Sequence, residues 1–350
     1  MPLDEPSWWY RQSQPAPLIE RAMHPASVAY AWVVERRFRN SQPFRASLPV
    51  ICIGNLTAGG TGKTPLAMHV ARELIALGKQ PAFLTRGYGG RIAGPHRVDP
   101  KSDDATEVGD EPLLLATTAP TFISRDRPAG AQAIAGSKLA SVIVMDDGLQ
   151  NPSLAKDLTI ALIDARRGIG NGKVLPAGPL RARLGFQLGL VDAVVVNYPP
   201  GVHIDTQTDI HRWLQQEFPG PVLTAAVRPR DDVTWVRGAR LVAFAGIANP
   251  QRFFRLLREL GGNVVAEVAL PDHHAFARRD AERILNLAKT HDALLVTTEK
   301  DSTRLTGGKG AIGELLDASR SLGIRLDLKS PETERLTSLL MGALKEPKPA

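Results

Sequence analysis

Gly54-Asn55-Leu56-Thr57-Ala58-Gly59-Gly60-Thr61-Gly62-Lys63-Thr64-Pro65 stands directly after a short apolar run, Pro49–Ile53. It runs straight into Pro65 to Leu77, where Leu66, Val70, Leu74 and Leu77 recur at helical spacing. Strand, glycine-rich loop and helix in that order form the setting of a phosphate-binding loop. Glycines let backbone N–H groups turn inward around phosphate oxygens, a lysine reaches the β and γ phosphates, and the next hydroxyl ligates Mg²⁺. The helix N-terminus adds the positive end of its dipole. Here Thr57, Ala58, Gly59, Gly60, Thr61 and Gly62 would supply the cradle, Lys63 the cation and Thr64 the hydroxyl. Thr57 departs from the pattern G-x-x-x-x-G-K-[ST], standing where its first glycine belongs, with Gly54, Gly59 and Gly60 nearby to give the backbone freedom. Nucleotide binding is the expectation.

Further apolar runs at Pro81–Thr85, Ser141–Met145, Leu158–Ile163 and Ala193–Asn197, separated by helical stretches, predict a parallel α/β sheet. A phosphate loop needs a carboxylate for its metal at the end of a buried strand. Asp146 and Asp147 follow Ser141–Met145, and one of them should hold Mg²⁺ directly or through water; a solvated Asp-Asp-Gly turn is the alternative. Around Pro221 to Leu241 the pattern changes to two extended pieces, VLTAAV and VTWV, flanking Arg228-Pro229-Arg230-Asp231-Asp232, which reads as a hairpin. Beyond it, Leu241–Ala245, Asn263–Val268 and Ala293–Thr297 alternate with helices at Pro250–Leu260 and Arg278–Lys289. The expected organisation is therefore an N-terminal segment 1–47, a P-loop parallel-sheet domain 48–220, a two-stranded linker 221–240 and a smaller α/β domain 241–345. The tail KEPKPA is expected to lack regular structure.

The chain has 350 residues, 43% hydrophobic and 23% charged, a globular composition that excludes disordered, collagen-like and disulfide-scaffold classes. Cys52 has no partner for an intramolecular disulfide, which favours a reducing compartment. A formal net charge of +7 suits anionic partners such as phosphates or lipid headgroups. No zinc-finger, recognition-helix or aromatic-basic pattern accompanies it, so nucleic acid is not an expected partner. No apolar run approaches the roughly 18 residues of a spanning helix, and the start lacks the features of a signal peptide. The N-terminal segment joins Trp8, Trp9 and Tyr10, an apolar stretch from Ala26 to Val34, and Arg36, Arg37, Arg39 and Arg45. Two readings stand: an interfacial segment on anionic lipid, or a helix packed on the domain with a solvated basic end.

Several stretches together resemble the tetraacyldisaccharide 4'-kinase family: GNLTAGGTGKTP at 54–65, LTRGYGGR at 84–91, VGDEPLLLA at 108–116, MDDGLQNPSLAKDL at 145–158, IDARRGIGNGKVLPAGPLR at 163–181, LVAFAGIANPQRFF at 241–254, PDHHAF at 271–276 and TTEKD at 297–301. The family loop itself lacks the first P-loop glycine. The resemblance implies transfer of the γ-phosphate of ATP, with Mg²⁺, to the 4'-hydroxyl of a tetraacyldisaccharide 1-phosphate, giving lipid IVA in lipopolysaccharide synthesis. It implies two α/β domains with the site between them. It also implies a peripheral attachment, through an N-terminal helix, to the cytoplasmic face of the bacterial inner membrane.

By the same resemblance Asp110 is the catalytic base and Glu111 a metal or network residue, although spacing alone would read Gly-Asp-Glu-Pro as a helix start. His273 is the histidine that orients Asp110; its neighbour His274 competes for that place, and a metal pair or an exposed turn are the other readings of the two. Arg86 and Arg91 become candidates for the acceptor phosphate, and Lys63 a catalytic cation. Glu299, Lys300 and Asp301 fall near the cleft without an assigned role, and the stretch Arg166 to Arg183 is expected to be a mobile clamp.

Overall fold

β-branched and apolar runs set out the strands, and the loops after them set out the site. The computed structural model describes residues 6–10, 18–60, 62–199 and 209–345. Thr61, the first residues of the N-terminal segment and most of the KEPKPA tail lie outside that set. The strands are β1 (Val50–Asn55), β2 (Pro81–Thr85), β3 (His96–Arg97), β4 (Thr121–Ile123), β5 (Val142–Asp146), β6 (Leu158–Asp164), β7 (Ala193–Tyr198), β8 (Val222–Pro229), β9 (Arg240–Ala245), β10 (Asn263–Ala269), β11 (Leu294–Thr298), β12 (Ser319–Leu322) and β13 (Ile324–Asp327).

Nine of them make one sheet in the order β13-β8-β7-β6-β1-β5-β2-β4-β3, and four make a second in the order β10-β9-β11-β12. From β8 to β4 every neighbour in the large sheet is parallel, with β13 and β3 as antiparallel edges. The smaller sheet is parallel throughout. Strands β1, β2, β5, β6 and β7 are buried along their whole length, as expected of a sheet covered on both faces. The helix Lys63–Ala76 covers one face with Leu66, Val70 and Leu74, and the carboxyl ends of β1, β5, β2 and β6 all open on the side where parallel sheets bind ligands.

The hairpin expected over 221–240 does not form. VTWV makes a single 3-10 turn, Thr234–Val236, preceded by Asp232, whose Oδ1 accepts from the Thr234 N–H at 3.0 Å. β8 instead extends the large sheet beside β7, and its free edge is covered by β13, almost a hundred residues later. Two strands do connect the sheets, but they are β8 leaving and β13 returning. The helix Ser330–Lys345 follows β13 back and buries Leu336, Leu340 and Ala343 in the core of the large sheet, so residues 324–345 pack with the first unit rather than the second. Leu340→Ala should therefore destabilise the large sheet by about 2–5 kcal/mol in denaturant unfolding; a loss below about 0.5 kcal/mol, typical of a surface position, would show that this helix is not part of that core.

Candidate active site

The P-loop follows β1, and its glycines stand where the backbone requires them. Gly59 and Gly62 have φ of 95° and 103°, and a Cβ on Gly62 would lie 3.1 Å from the Asn197 amide nitrogen. Thr57 needs no such freedom: it pairs with Leu180, and the Ala58 N–H donates to the Pro179 carbonyl at 2.7 Å. The Arg181 N–H donates to Leu56 O at 2.9 Å. The stretch expected to be a mobile clamp thus buttresses the P-loop along this edge. Lys63 and the buried Thr64 begin the helix Lys63–Ala76, whose N-terminal N–H groups face the loop.

The two aspartates at the end of β5 differ sharply. Asp147 adopts a left-handed backbone (φ 53°) and sets its Oδ1 2.9 Å from Arg181 Nη1 and 3.7 Å from Lys63 Nζ. Burial would raise its carboxyl, but those two cations hold it down at about 2. Asp146 is buried, and neither carboxylate oxygen finds a hydrogen-bond partner among the described residues. Burial, reinforced by the charge of Glu111, pushes it up to about 7. A buried carboxylate left in this state is short of one cation.

Across the cleft, the second sheet delivers charge of the opposite sign. Lys300, one residue past the start of the helix Glu299–Leu305, hydrogen-bonds Glu111. Arg304 donates through Nε (2.7 Å) and Nη2 to Asp110 Oδ2, and through Nη1 to Gly246 O (2.6 Å) and Asp301 Oδ1 (2.7 Å). His273 Nδ1 lies 3.2 Å from Asp110 Oδ1, which also accepts the Glu111 N–H at 2.9 Å. Burial would raise the Asp110 carboxyl, yet the His273 hydrogen bond and the Lys300 and Arg304 charges hold it well below the ordinary carboxylate range. Burial would likewise lower His273, and the bond and charge of Asp110 more than offset it, so the imidazole is raised. His273 also takes a left-handed φ of 55°, a conformation unfavourable for a side-chain-bearing residue. His274 turns elsewhere, 2.9 Å from Asp280, which settles which histidine meets Asp110.

Several of these groups, Asp147, Arg181 and Glu111 among them, line a cavity of about 400 Å³, while Asp146, Asp110 and Arg304 lie behind its wall. Its wall includes Gly59, Gly60, Lys63 and Thr64 from the P-loop side and His273 and Lys300 from the second sheet. Tyr88 also lines it, its ring 5.1 Å from that of His273, while Arg86 and Arg91 on the same loop are exposed and lie outside the wall. Asp110 is only 3% exposed and reaches the cavity through His273. Arg181, Arg304 and Arg252 were not singled out by sequence. Arg181 closes a quoted motif, and Arg304 is one helical turn beyond TTEKD; in each case only the fold shows which carboxylate it meets.

A parallel sheet with a P-loop, a buried and unpartnered aspartate on the neighbouring strand and a second lobe bringing histidine and lysine defines a P-loop phosphotransferase. The sequence profile of the tetraacyldisaccharide-1-P 4'-kinase family matches residues 19–344. The tetraacyldisaccharide 4'-kinase of Nitrobacter hamburgensis is 48% identical over 305 residues, 87% of this chain and 88% of its own. That of Methylobacterium radiotolerans is 44% identical over 344 residues, 98% and 99% of the two chains. A solved structure of the "apo" form of LpxK from Aquifex aeolicus in complex with ATP has a TM-score of 0.70 at 24% identity, covering 93% of this chain and 100% of that one, a likeness of fold. The chain belongs to the tetraacyldisaccharide-1-P 4'-kinase family.

The state of Asp146 carries a sign that can be measured. Its folded carboxyl holds a proton up to about 7, whereas an unfolded aspartate loses it near about 3.9. The nucleotide-free protein should therefore lose stability as pH rises between those values and stay weakened above them. Asp146→Asn should raise the melting temperature in the absence of Mg²⁺, by more at pH 8 than at pH 5; an equal shift at both would show that Asp146 is not the unpaired charge.

Proposed function

We propose a role for each cleft residue in the reaction this chain carries out, transfer of the γ-phosphoryl group of ATP to the 4'-hydroxyl of a tetraacyldisaccharide 1-phosphate to give lipid IVA. The observation that carries the assignment is that Lys63 and Thr64 of the P-loop and His273 of the second lobe line one cavity. Lys63 and the loop amides from Gly59 to Gly62 hold the β and γ phosphates; Thr57 and Ala58, expected from the sequence to share the cradle, are instead taken up by the segment Pro179 to Arg181, the Ala58 N–H donating to Pro179 O. Thr61, outside the described residues, takes its role from its place in the loop alone.

Asp146 and Thr64 fit Mg²⁺. Both Asp146 oxygens are orphaned and buried, Thr64 stands at the helix start, and Mg²⁺ takes one or two protein oxygens with waters and phosphates making up the rest. No group of three or more His, Cys, Asp or Glu with metal-site geometry occurs among the described residues, in keeping with that sparse protein share. Bound there, Mg²⁺ supplies charge neutralisation at the β and γ phosphates. Asp147 is committed to Lys63 and Arg181 and Glu111 to Lys300, so these two carboxylates orient cations, and the metal falls to Asp146.

Asp110 and His273 take the hydroxyl proton as a pair, with the expected parts exchanged: Asp110 is shut away behind the cavity wall, so it orients, and His273 faces the hydroxyl. With Nδ1–H donating to Asp110, His273 Nε2 is left as the acceptor, and the Asp110 carboxylate stabilises the imidazolium that results. Arg86 and Arg91 flank Tyr88 on the exposed loop, where they would meet the acceptor's phosphate.

The acceptor is an acylated lipid, and the helix Leu18–Arg39 is suited to reach it. Leu18, Ile19, Met23, Val28, Tyr30, Trp32 and Val33 are exposed along it, and Arg36, Arg37 and Arg39 fill its last turn. No helix among the described residues is long and apolar enough to cross a membrane. The helix would lie on an anionic surface, which fits the cytoplasmic face of the bacterial inner membrane. Val28→Glu with Trp32→Glu should abolish co-sedimentation with vesicles containing anionic lipid while leaving the melting temperature unchanged; retained sedimentation would remove this helix as the anchor.

The reading as a whole is tested by transfer of labelled γ-phosphate from Mg·ATP to the tetraacyldisaccharide 1-phosphate in detergent micelles. Asp110→Ala and His273→Ala should each lower kcat by about 10²–10⁴ and keep ATP binding, while Lys63→Ala impairs both. Unchanged turnover in Asp110→Ala would remove the pair. Wild-type protein that hydrolyses ATP without forming lipid product would overturn the assignment of the acceptor.

A further inference from the structure

The motif GIANPQRFF, at 246–254, is quoted above for the resemblance but has no part in the chemistry so far. It forms the loop after β9 and the start of the helix Pro250–Glu259. Asn249 caps that helix, its side-chain oxygen accepting the Arg252 N–H at 3.3 Å. The loop lies against the P-loop: a Cβ built on Gly60 would sit 3.4 Å from Ala248 Cβ. Arg252, in the first turn, therefore projects from the second lobe beside the phosphate cradle, and it lines the same cavity as Gly59, Gly60 and Lys63.

Its guanidinium is aimed rather than free. Nη1 donates to Asp164 Oδ2 at 3.1 Å, across from the second lobe to the end of β6. Asp164 is itself fixed, its Oδ1 accepting the N–H groups of Arg166 (2.9 Å) and Arg167 (3.1 Å). A carboxylate held at one oxygen and presenting the other sets the plane of the guanidinium. The opposite nitrogen, Nη2, is buried and has no hydrogen-bond partner among the described residues. A cationic donor closed off from water and unpaired is costly, and nothing the mechanism has used so far relieves it. An anion in the cavity would.

We propose that Arg252 donates to the β and γ phosphates of the bound nucleotide, a cation delivered in cis by the second lobe opposite Lys63. The inference rests on the reading of the P-loop as the triphosphate site. Gly59 and Gly60, which line the cavity with it, lie in the part of a P-loop that wraps the outer phosphates, where charge spreads as the γ-phosphoryl group leaves. Asp164 is then the positioning residue, and the Arg252–Asp164 pair couples closure of the lobes to completion of the site. Product release requires the same contact to open.

The test compares Arg252→Ala, Arg252→Lys and Lys63→Ala in the full-length protein, with kcat from the micelle assay, calorimetric binding of ADP and of the non-hydrolysable β,γ-imido analogue of ATP, and melting temperatures. Arg252→Ala should lose about 10²–10³ in kcat while ADP affinity stays within about threefold of wild type. Low concentrations of guanidinium ion should restore part of the activity to Arg252→Ala and none to Arg252→Lys, whose side chain fills the space. A role in packing alone would give no such rescue. If Arg252→Ala does not fold, Arg252→Gln keeps a donor for Asp164 and is read by kcat and ADP affinity alone, since its side chain fills the space that guanidinium would enter.

A kcat for Arg252→Ala within about fivefold of wild type, or a loss that guanidinium does not restore, overturns the inference. Lys63→Ala separates the two levels. If it is inactive while Arg252→Ala is active, only the Arg252 role fails. If Lys63→Ala retains wild-type turnover and nucleotide binding, the P-loop reading fails with it.

Discussion

The structure depends on the neutralisation of carboxylates from one sheet by cations from the other. Asp110 and Glu111, which open the helix Asp110–Ala116 after β3, meet Arg304, Lys300 and His273, and Asp164 at the end of β6 meets Arg252. Each of these contacts links the two lobes. Their net worth to folding is small, because ions taken from water recover little more than their desolvation cost. Removing one partner is another matter, since the survivor is left charged and buried, at about 3–5 kcal/mol. Such pairs specify one relative placement of the lobes more than they hold it, and that placement brings His273 to the P-loop.

The same logic sorts the carboxylates of the cleft by what surrounds them. Asp147 and Asp146 are neighbours in the chain, yet one is stabilised as an anion by Lys63 and Arg181 and the other is destabilised as an anion for want of a partner. The turn that separates them is the left-handed residue Asp147, which sends its side chain toward the P-loop lysine. Identity of residue type decides little here; the difference lies in which cations the fold brings within reach. Of the two neighbours, only Asp146 is left without a hydrogen-bond partner or a cation on its carboxylate among the described residues.

Much of this was legible in the sequence wherever the signal is local. Pro81–Thr85 was read with its observed ends, the central strands fell within a residue or two, and the P-loop and the Asp146–Asp147 pair were in view because strand, loop and helix are contiguous. The hairpin at 221–240 failed for the opposite reason. β8 does have an antiparallel neighbour, but that neighbour is β13, and nothing in VLTAAV says which distant segment will cover its edge. Arg304 and Arg252 were missed likewise, since arginines near helix ends are ordinary on surfaces and only the approach of the lobes turns them into site residues. Asp110 and His273 came from resemblance: a Gly-Asp-Glu-Pro helix start has the same spacing whether or not a histidine from another domain arrives on it.

Thr57 shows how a departure from a motif can be explained by its neighbours. The first glycine of a P-loop is free to bend because nothing else fixes that position. In this chain the segment Pro179 to Arg181 runs alongside and hydrogen-bonds on both sides of it, to Ala58 N–H and Leu56 O. A position held in a bridge to Leu180 has extended backbone, where a β-branched residue is favoured and glycine is a liability. The bending moves to Gly59 and Gly62, which carry the positive φ values. Arg181 closes the same segment and ends on Asp147, so one strand-like stretch both straightens the start of the loop and places a cation on the carboxylate that orients Lys63. Thr57 in place of glycine and Arg181 on Asp147 thus depend on one segment, with the loop's rigidity supplied from outside it.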